Sequence, residues 1–433
     1  MMSKRIFIFE FVSGGGFNNV EIPISLFCEG YGMLRSIILD FKTLNFEIAT
    51  MLDYRIEYLA QFLPLDELII VEKKINFLKH FKNLIKTCSY IFIIAPESGK
   101  RLYNLTKIAK LANKKLLSTN LQGIKLGMSK WRTYEFFRRN KISTPKTYLI
   151  PFRKTELDTN FIQQEFNKLK KPVIIKPEDG VGAESIYYIE SQEQLSRYFL
   201  KFLQKDKTRR KYIIQEFIPG IDLSMSLIGI PHINDSQYKA PILLSVNSQE
   251  INIKNAEFIS EYFGGTTPVV DYSNLEKKIN EIFENIDFST ILGYFGIDFI
   301  RTLDARLFFI EINPRLTTSY IGLRNVININ PAQLIIDSRT NNFDGYEIKC
   351  LNHSLFSRVE MEYCGDTKIE DLKRMLLSDL IKKIPEFVTP PISLTDSQYF
   401  TSFIATKSKN LSESKERLLE IKCELKKFDF EIK

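Results

Sequence analysis

Histidine is scarce in this sequence, and so is the chemistry it usually supplies. The 433-residue chain carries three, His80, His232 and His353, each isolated. That leaves no HExxH zinc site and little from which to build a Ser/His/Asp triad. Cysteine is also thin: Cys28, Cys88, Cys350, Cys364 and Cys423 are scattered, with no CxxC and no paired spacing. A disulfide frame and a structural zinc site are excluded, and the thiols read as those of a reduced, cytoplasmic protein. No apolar stretch approaches ~18 residues, so no membrane span is expected. The opening MMSKRIFIFEFVSGGG mimics an export leader, but its apolar run is short, is broken by Glu10, and ends in glycines without a cleavage-type site. Internal repeats and low-complexity tracts are missing as well.

What is present belongs to a globular protein, 44% apolar and 26% charged, and long enough for two or three domains. The net charge of +8 comes from 60 basic against 52 acidic residues, well interspersed. This suits an anionic small ligand and is only a weak argument for nucleic acid as a partner. The densest basic run, Lys201–Lys211, has little aromatic interleaving and reads as a solvated loop.

Residues 1–120 alternate strand-like runs (Arg5–Val12, Phe46–Leu52, Glu67–Val71, Tyr90–Ala95, Lys115–Ser118) with amphipathic stretches (Leu26–Leu39, Ile75–Lys86, Lys100–Ala112). That pattern predicts a parallel, doubly wound sheet whose ligand sits beyond the strands' carboxyl ends. Three stretches hold that position: Ser13–Gly16, Asp53–Arg55 and Pro96–Ser98. The glycines do not complete GxGxxG, so they either turn the chain or meet a substrate. Ser129 then reads as the N-cap of a helix over Lys130–Asn140. Next comes a strand ending in Lys176, a loop Glu178–Glu184 with Gly180 and Gly182, and a second strand. An unpaired lysine at the end of a buried strand asks for an anion, and backbone N–H groups of a glycine loop suit phosphate oxygens. Glu216 and Asp222 flank a turn where a flat ring and its sugar can be gripped. Further on, Gly264-Gly265 is expected near the entrance for substrates, and helices are expected at Ser273–Glu284 and Ser412–Lys427.

The most unusual placement of charge lies in GYFGIDFIRTLDARLFFIEINPR, residues 293–315. Two strands, Tyr294–Leu303 and Leu307–Asn313, flank Asp304-Ala305. A turn centred there sets Asp298 across from Glu311, at a Cβ separation of roughly 4.5–5.5 Å where like charges repel. Asn313 projects to the same face. Two carboxylates and an amide make sense around a hard cation with oxygen ligands, Mg²⁺ (or Mn²⁺). If repulsion is their main interaction, a glutamine at 311 costs nothing in the absence of metal.

The order of lysine-bearing helix, strand–Lys–glycine loop, QEFIPGID and Asp…Glu-x-Asn hairpin resembles the ATP-grasp superfamily, ligases that close two α+β lobes over ATP. The likeness covers about residues 120–330. The EGYGML, APES and NPRLTTSYIGLR stretches look like the tyramine–glutamate ligase group in particular. The resemblance implies an α/β N-terminal doubly wound (pre-ATP-grasp) domain over 1–120. It implies an α+β ATP-grasp fold over 121–335, with a central lobe at about 145–215, and a C-terminal α+β extension over 336–433. Lys130 and Lys176 would hold phosphates under the 180–185 loop, with Gly180, Gly182 and Ala183. Glu216, Phe217 and Ile218 would bind adenine and Asp222 the ribose. Asp298, Glu311 and Asn313 would hold Mg²⁺, while Arg315, with Lys176, would be catalytic and steady an acyl phosphate. The implied activity is ATP-dependent joining of a carboxylate, such as that of glutamate, to an amine. The alternatives are phosphotransfer without ligation and a regulatory nucleotide-binding protein. Partners would be the small-molecule acid and amine, with no nucleic acid and no membrane, and a homodimer is one assembly open to it.

Overall fold

A computed structural model of the chain describes residues 4–153, 156–170, 172–180, 186–200, 210–231, 240–252, 261–340, 345–372, 377–394 and 397–433. Five strands, β1 (Arg5–Glu10), β2 (Glu47–Asp53), β3 (Glu67–Val71), β4 (Tyr90–Ile94) and β5 (Lys115–Leu116), form a sheet in the order β3-β2-β1-β4-β5. All its pairings are parallel. Ile6–Phe9 of the central β1 are buried on both faces, which is why that strand reads as a continuous apolar run. Helices α1 (Ile24–Thr43), α2 (Phe77–Thr87) and α3 (Arg101–Leu111) connect the strands. The chain builds β2 and β3 on one side of β1 and returns to its other side for β4. A crevice opens at that reversal, and Glu10, Val12 and Pro96 line it.

Next come α4 (Leu121–Gly127) and α5 (Lys130–Arg139). The β6 strand (Thr147–Leu149) precedes a small ribbon of β7 (Phe152–Arg153) and β8 (Glu156–Leu157), then α6 (Thr159–Leu169). Strands β9 (Val173–Pro177), β10 (Tyr187–Ile189) and β11 (Tyr212–Glu216) complete an antiparallel sheet, β10-β9-β11-β6, closed by Ile162 and Phe166 of α6. A second antiparallel sheet, β13-β12-β16-β17, comprises β12 (Ile221–Gly229), β13 (Ile242–Ser248), β16 (Gly293–Arg301) and β17 (Leu307–Asn313). Its core takes in Phe137 of α5 together with Leu275, Ile279 and Phe283 of α7 (Tyr272–Phe283).

The last sheet mixes distant segments. It joins β14 (Glu250–Asn252) and β15 (Glu261–Thr267) to β18 (Ser354–Tyr363), β20 (Tyr399–Ala405) and β19 (Phe387–Ile392), with β21 (Phe430–Ile432) on β18. Strands β18 to β21 therefore share a sheet with β14 and β15 instead of trailing behind them. Gly264 and Gly265 lie within β15, where a side chain would meet the Phe356 and Ser248 carbonyls at 2.0 and 1.9 Å. They serve strand packing, and it is their neighbours Glu261 and Tyr262 that face the cavity. Gly14–Gly16 likewise pack against Phe9, Phe11 and Val71, which makes them a turn. Asp53 is taken by Arg55 at 2.8 Å, so of the three stretches beyond the sheet the second is also structural.

One helix ties these parts together. The α1 helix packs on β1 and β2 and also on β19, β20 and α8 (Tyr320–Val326). Asp40 near its end is 5% exposed and receives Arg324 at 2.6–3.1 Å and the Tyr320 hydroxyl at 2.7 Å. Asp40→Asn keeps the shape but removes the charge that answers a largely enclosed guanidinium. It should cost about 3 kcal/mol, read from the urea midpoint. Glu347→Gln, at the exposed pair with Lys349, should change stability by less than ~0.5 kcal/mol. Equally small shifts for both would mean that α1 is not held through Asp40.

Candidate active site

Strands β16 and β17 set Asp298 directly opposite Glu311, but not by the turn expected for them. The loop runs Thr302–Arg306, with Ala305 at φ +59°, and next to it Arg301 pairs with Leu307. That register would slide Asp298 off Glu311. A β-bulge between Asp298 and Phe299 restores it, because Ile310 is an extra residue on β17. Asn313 lies opposite Gly296 and donates its Nδ2 to Asp298 Oδ2 at 2.9 Å. Gln249 donates to the other oxygen at 3.1 Å.

Two lysines complete the cluster. Lys130 opens α5, with Ser129 as N-cap accepting from the Arg132 N–H at 3.2 Å. The α4–α5 segment lies hard against β17, since a side chain at Gly127 would sit 2.6 Å from Pro314 and 2.8 Å from the Ile312 carbonyl. Lys130 Nζ thus reaches Glu311 Oε2 at 2.6 Å and donates to the Gly180 carbonyl at 2.8 Å. Lys176, the fourth residue of β9, stands 3.8 Å from the same Glu311 oxygen. Only 8% of Lys130 and 5% of Lys176 is exposed. Withdrawal from water pulls the Lys176 ammonium down to about 8, against the opposing pull of Glu311. Withdrawal from water, followed by the Glu311 charge, pushes the Asp298 carboxyl up to about 7. Burial acts on Glu311 in the same sense, yet Lys130 and Lys176 outweigh it and hold that carboxyl below its ordinary value. Glu311 is therefore the counter-ion of two buried lysines. This corrects the expectation that a glutamine at 311 costs nothing without metal.

The remaining predicted residues spread along one cavity of about 690 Å³. Lys130, Lys176, Asp298, Glu311, Asn313 and Arg315 line one part of it. Glu216, Phe217, Ile218 and Asp222 line another, at the turn between β11 and β12. There the Glu216 and Phe217 N–H groups already donate to the Lys146 and Pro172 carbonyls, at 2.8 and 3.0 Å. Ile218 keeps an N–H with no acceptor among the described residues. The Phe217 ring sits edge-on to Tyr188, 4.9 Å between centroids. Burial raises the Asp222 carboxyl, while Lys176 pulls it down. Gly180 is not a lining residue but is held by Lys130; Gly182 and Ala183 lie outside the described residues. Asp179, at the start of that loop, is anchored by Arg210 at 2.9 Å and by the Gly99 N–H at 3.2 Å.

Arg315 reaches across to the first sheet, where its Nε donates to both Glu97 oxygens at 2.9 and 3.1 Å. Glu97 belongs to Pro96–Ser98, the one of the three stretches that meets the site. Sequence reasoning missed Gln249, Tyr262 and Arg358, and it gave no role to Glu29, although Glu29 opens the EGYGML stretch. Strand pairing and α1 bring the four in from afar.

Comparison with known proteins agrees with this geometry. A family model described as an ATP-grasp domain matches residues 128–319, and one described as a pre ATP-grasp 3 domain matches 46–124. The chain is 26% identical over 352 residues to a tyramine–L-glutamate ligase of Methanocaldococcus jannaschii, covering 81% of this chain and 94% of that one. Its fold follows the biotin carboxylase domain of a Hydrogenobacter thermophilus 2-oxoglutarate carboxylase, solved with MgADP, ADP and bicarbonate. The TM-score is 0.69 at 12% identity, over 100% of this chain and 91% of that one. It also follows the L-amino acid ligase of Bacillus licheniformis, with TM-score 0.63 at 13% identity, over 100% and 98%. At such identities the two structures speak for the fold alone. The chain belongs to the ATP-grasp family, with a pre-ATP-grasp domain at 46–124 in front of an ATP-grasp domain at 128–319.

Proposed function

We propose that this protein is an ATP-dependent ligase that activates a carboxylate and joins it to an amine, releasing ADP and phosphate. The convergence of Lys130, Lys176, Asp298, Glu311, Asn313 and Arg315 on one cavity supports this most directly. In the first step a carboxylate oxygen attacks the γ-phosphorus and ADP leaves with the bonding electrons. In the second the amine attacks the acyl carbon, loses a proton, and phosphate departs. Such transfers rely on positioning and charge neutralisation, which explains why three isolated histidines suffice. Lys130 and Lys176 would hold phosphate oxygens, and the loop from Gly180 through Gly182 and Ala183 would cover them. The Ile218 N–H and the walls formed by Glu216 and Phe217 would receive the adenine, and Asp222 the ribose. Arg315, oriented by Glu97, would steady the acyl phosphate.

The donor set fits Mg²⁺ or Mn²⁺. Two carboxylates face each other against their mutual repulsion, and Asn313 uses its N–H on Asp298 and leaves its amide oxygen for a ligand. Among the described residues no group of three or more His, Cys, Asp or Glu side chains gathers. A metal here would therefore complete its shell with phosphate oxygens and water, as Mg²⁺ commonly does. When bound, it would be held by Asp298, Glu311 and Asn313 and would supply charge neutralisation to the phosphoryl transfer.

The division of labour we propose follows the chain. Residues 1–120 supply the crevice and Glu97, 121–335 the nucleotide site with its central lobe at 145–215, and 336–433 a wall of the cavity. The name of the Methanocaldococcus relative supports glutamate as the acid and a small aromatic amine as its partner. Among the described residues no helix is long and apolar enough to cross a membrane, and the five cysteines are unpaired. Both suit the cytoplasm, where size-exclusion of the native protein would reveal a homodimer.

Crossing amino acids with small amines should yield ADP only when both are present, with the amide detected by mass. ADP release that needs no amine would indicate phosphotransfer instead. Lys176 gives a second test. Its ammonium is charged below about 8 and neutral above, so ATP affinity should fall as pH rises from about 7 to about 9. Lys176→Arg should abolish that dependence, and Lys176→Ala should weaken ATP at least about tenfold at pH ~7. Unchanged ATP affinity in Lys176→Ala, by calorimetry, would remove Lys176 from the site.

A further inference from the structure

Beyond the phosphate end, the cavity is walled by residues that neither matched family segment contains. Glu29 and Met33 come from α1, before residue 46, and Arg358 comes from β18, after residue 319. Helix α1 can lie this deep because Gly30 has no side chain; a Cβ there would meet the Glu10 carboxylate at 2.8 Å. Glu29 accepts from the Thr318 hydroxyl at 2.6 Å, and among the described residues no cation comes within ion-pairing distance of it. Its carboxyl is raised by burial, and Arg315 and Arg358 offset this only from a distance.

Arg358 is the complementary case. Its side chain is 3% exposed, 3.1 Å from Glu360 and 3.6 Å from Glu261 through one nitrogen, with its guanidinium 4.7 Å above the Phe263 ring. Its Nε has no hydrogen-bond partner among the described residues. Both carboxylates meet one nitrogen of Arg358, so the Nε edge of its planar fork stays open to a further carboxylate. The cavity thus presents Glu29, which no cation answers among the described residues, and Arg358, which two carboxylates answer through one nitrogen only. A ligand carrying the opposite charges side by side would satisfy both.

We infer that Glu29 and Arg358 form a subsite for the headgroup of a free α-amino acid, its ammonium on Glu29 and its carboxylate on Arg358. The subsite names a substrate class for the ligase and rests on that reading for its purpose, but not for its test. Specificity would then reside outside the segments that bind the nucleotide.

The test reads binding and needs no turnover. The full chain, loaded with Mg²⁺ and AMP-PNP, is titrated with each of the twenty L-amino acids, followed by thermal shift and calorimetry. For each that binds, the N-acetyl derivative and the C-terminal amide are measured too. At least one free amino acid should bind, and both derivatives should bind at least tenfold more weakly. In Glu29→Gln and Arg358→Gln the free amino acid should weaken at least tenfold, with AMP-PNP affinity within twofold of the parent. Failure of all twenty, derivatives that bind as tightly as the free forms, or variants that match the parent would each overturn the subsite. The derivative series uses the parent protein, so it decides even if a variant misfolds. Selective binding here, with no ADP released from ATP by any acid–amine pair in the crossed screen, would overturn the ligase reading alone; ligation without this selectivity would overturn the subsite alone.

Discussion

Four charges, two on buried lysines and two on half-buried carboxylates, set the terms for this protein. Asp298 and Glu311 face each other across two strands, and Lys130 and Lys176 converge on one Glu311 oxygen. Each charge alone would be expensive to bury, and a broken pair more so than a complete one. The cluster therefore constrains everything that delivers its members: the bulge at Ile310, the close seat of Gly127 on β17, and the Ser129 cap that fixes the start of α5. Without ligand the lysines answer Glu311, leaving Asp298 to hydrogen bonds from Asn313 and Gln249. We read this as a site prepared for an incoming cation at Asp298 and incoming anions at the lysines.

The arrangement also explains how separate parts of the chain act as one. Lys130 and Lys176 come from different elements, and Lys130 holds the start of the glycine loop through the Gly180 carbonyl. Asp179 ties that loop to Gly99 of the first sheet, and Arg315 ties the hairpin to Glu97 beside it.

Local pattern carried much of this. The five strands of the first sheet, the Ser129 cap and the lysine at the end of β9 follow from periodicity and capping chemistry in short windows. The pairing of Asp298 with Glu311 was legible for an incomplete reason, since the turn is offset by one residue and a bulge compensates. No window around Ile310 announces that bulge; it follows from packing Phe309 into the core while Glu311 faces the cavity. Gly264-Gly265 misled, because they answer to neighbouring carbonyls that the sequence does not place, whereas Gly14–Gly16 took the turn, one of the two readings open to them. Gln249 and Arg358 were invisible for the same reason, and Glu29 was seen only as part of EGYGML, without a role: each is brought in by an element hundreds of residues or several strands away.

We propose that Asp298 is charged against its own interest in the free protein and relieved by a metal–nucleotide complex. Its carboxyl is raised to about 7, so the strain is absent at low pH and develops as pH rises through that value. Asp298→Asn keeps the shape and removes the repulsion. At pH ~8, melting curves of the two proteins with and without Mg·ATP decide the matter. The account predicts that the variant melts no lower than the parent without ligand, and that Mg·ATP raises the parent's melting temperature far more than the variant's. Equal rises in both proteins would contradict it.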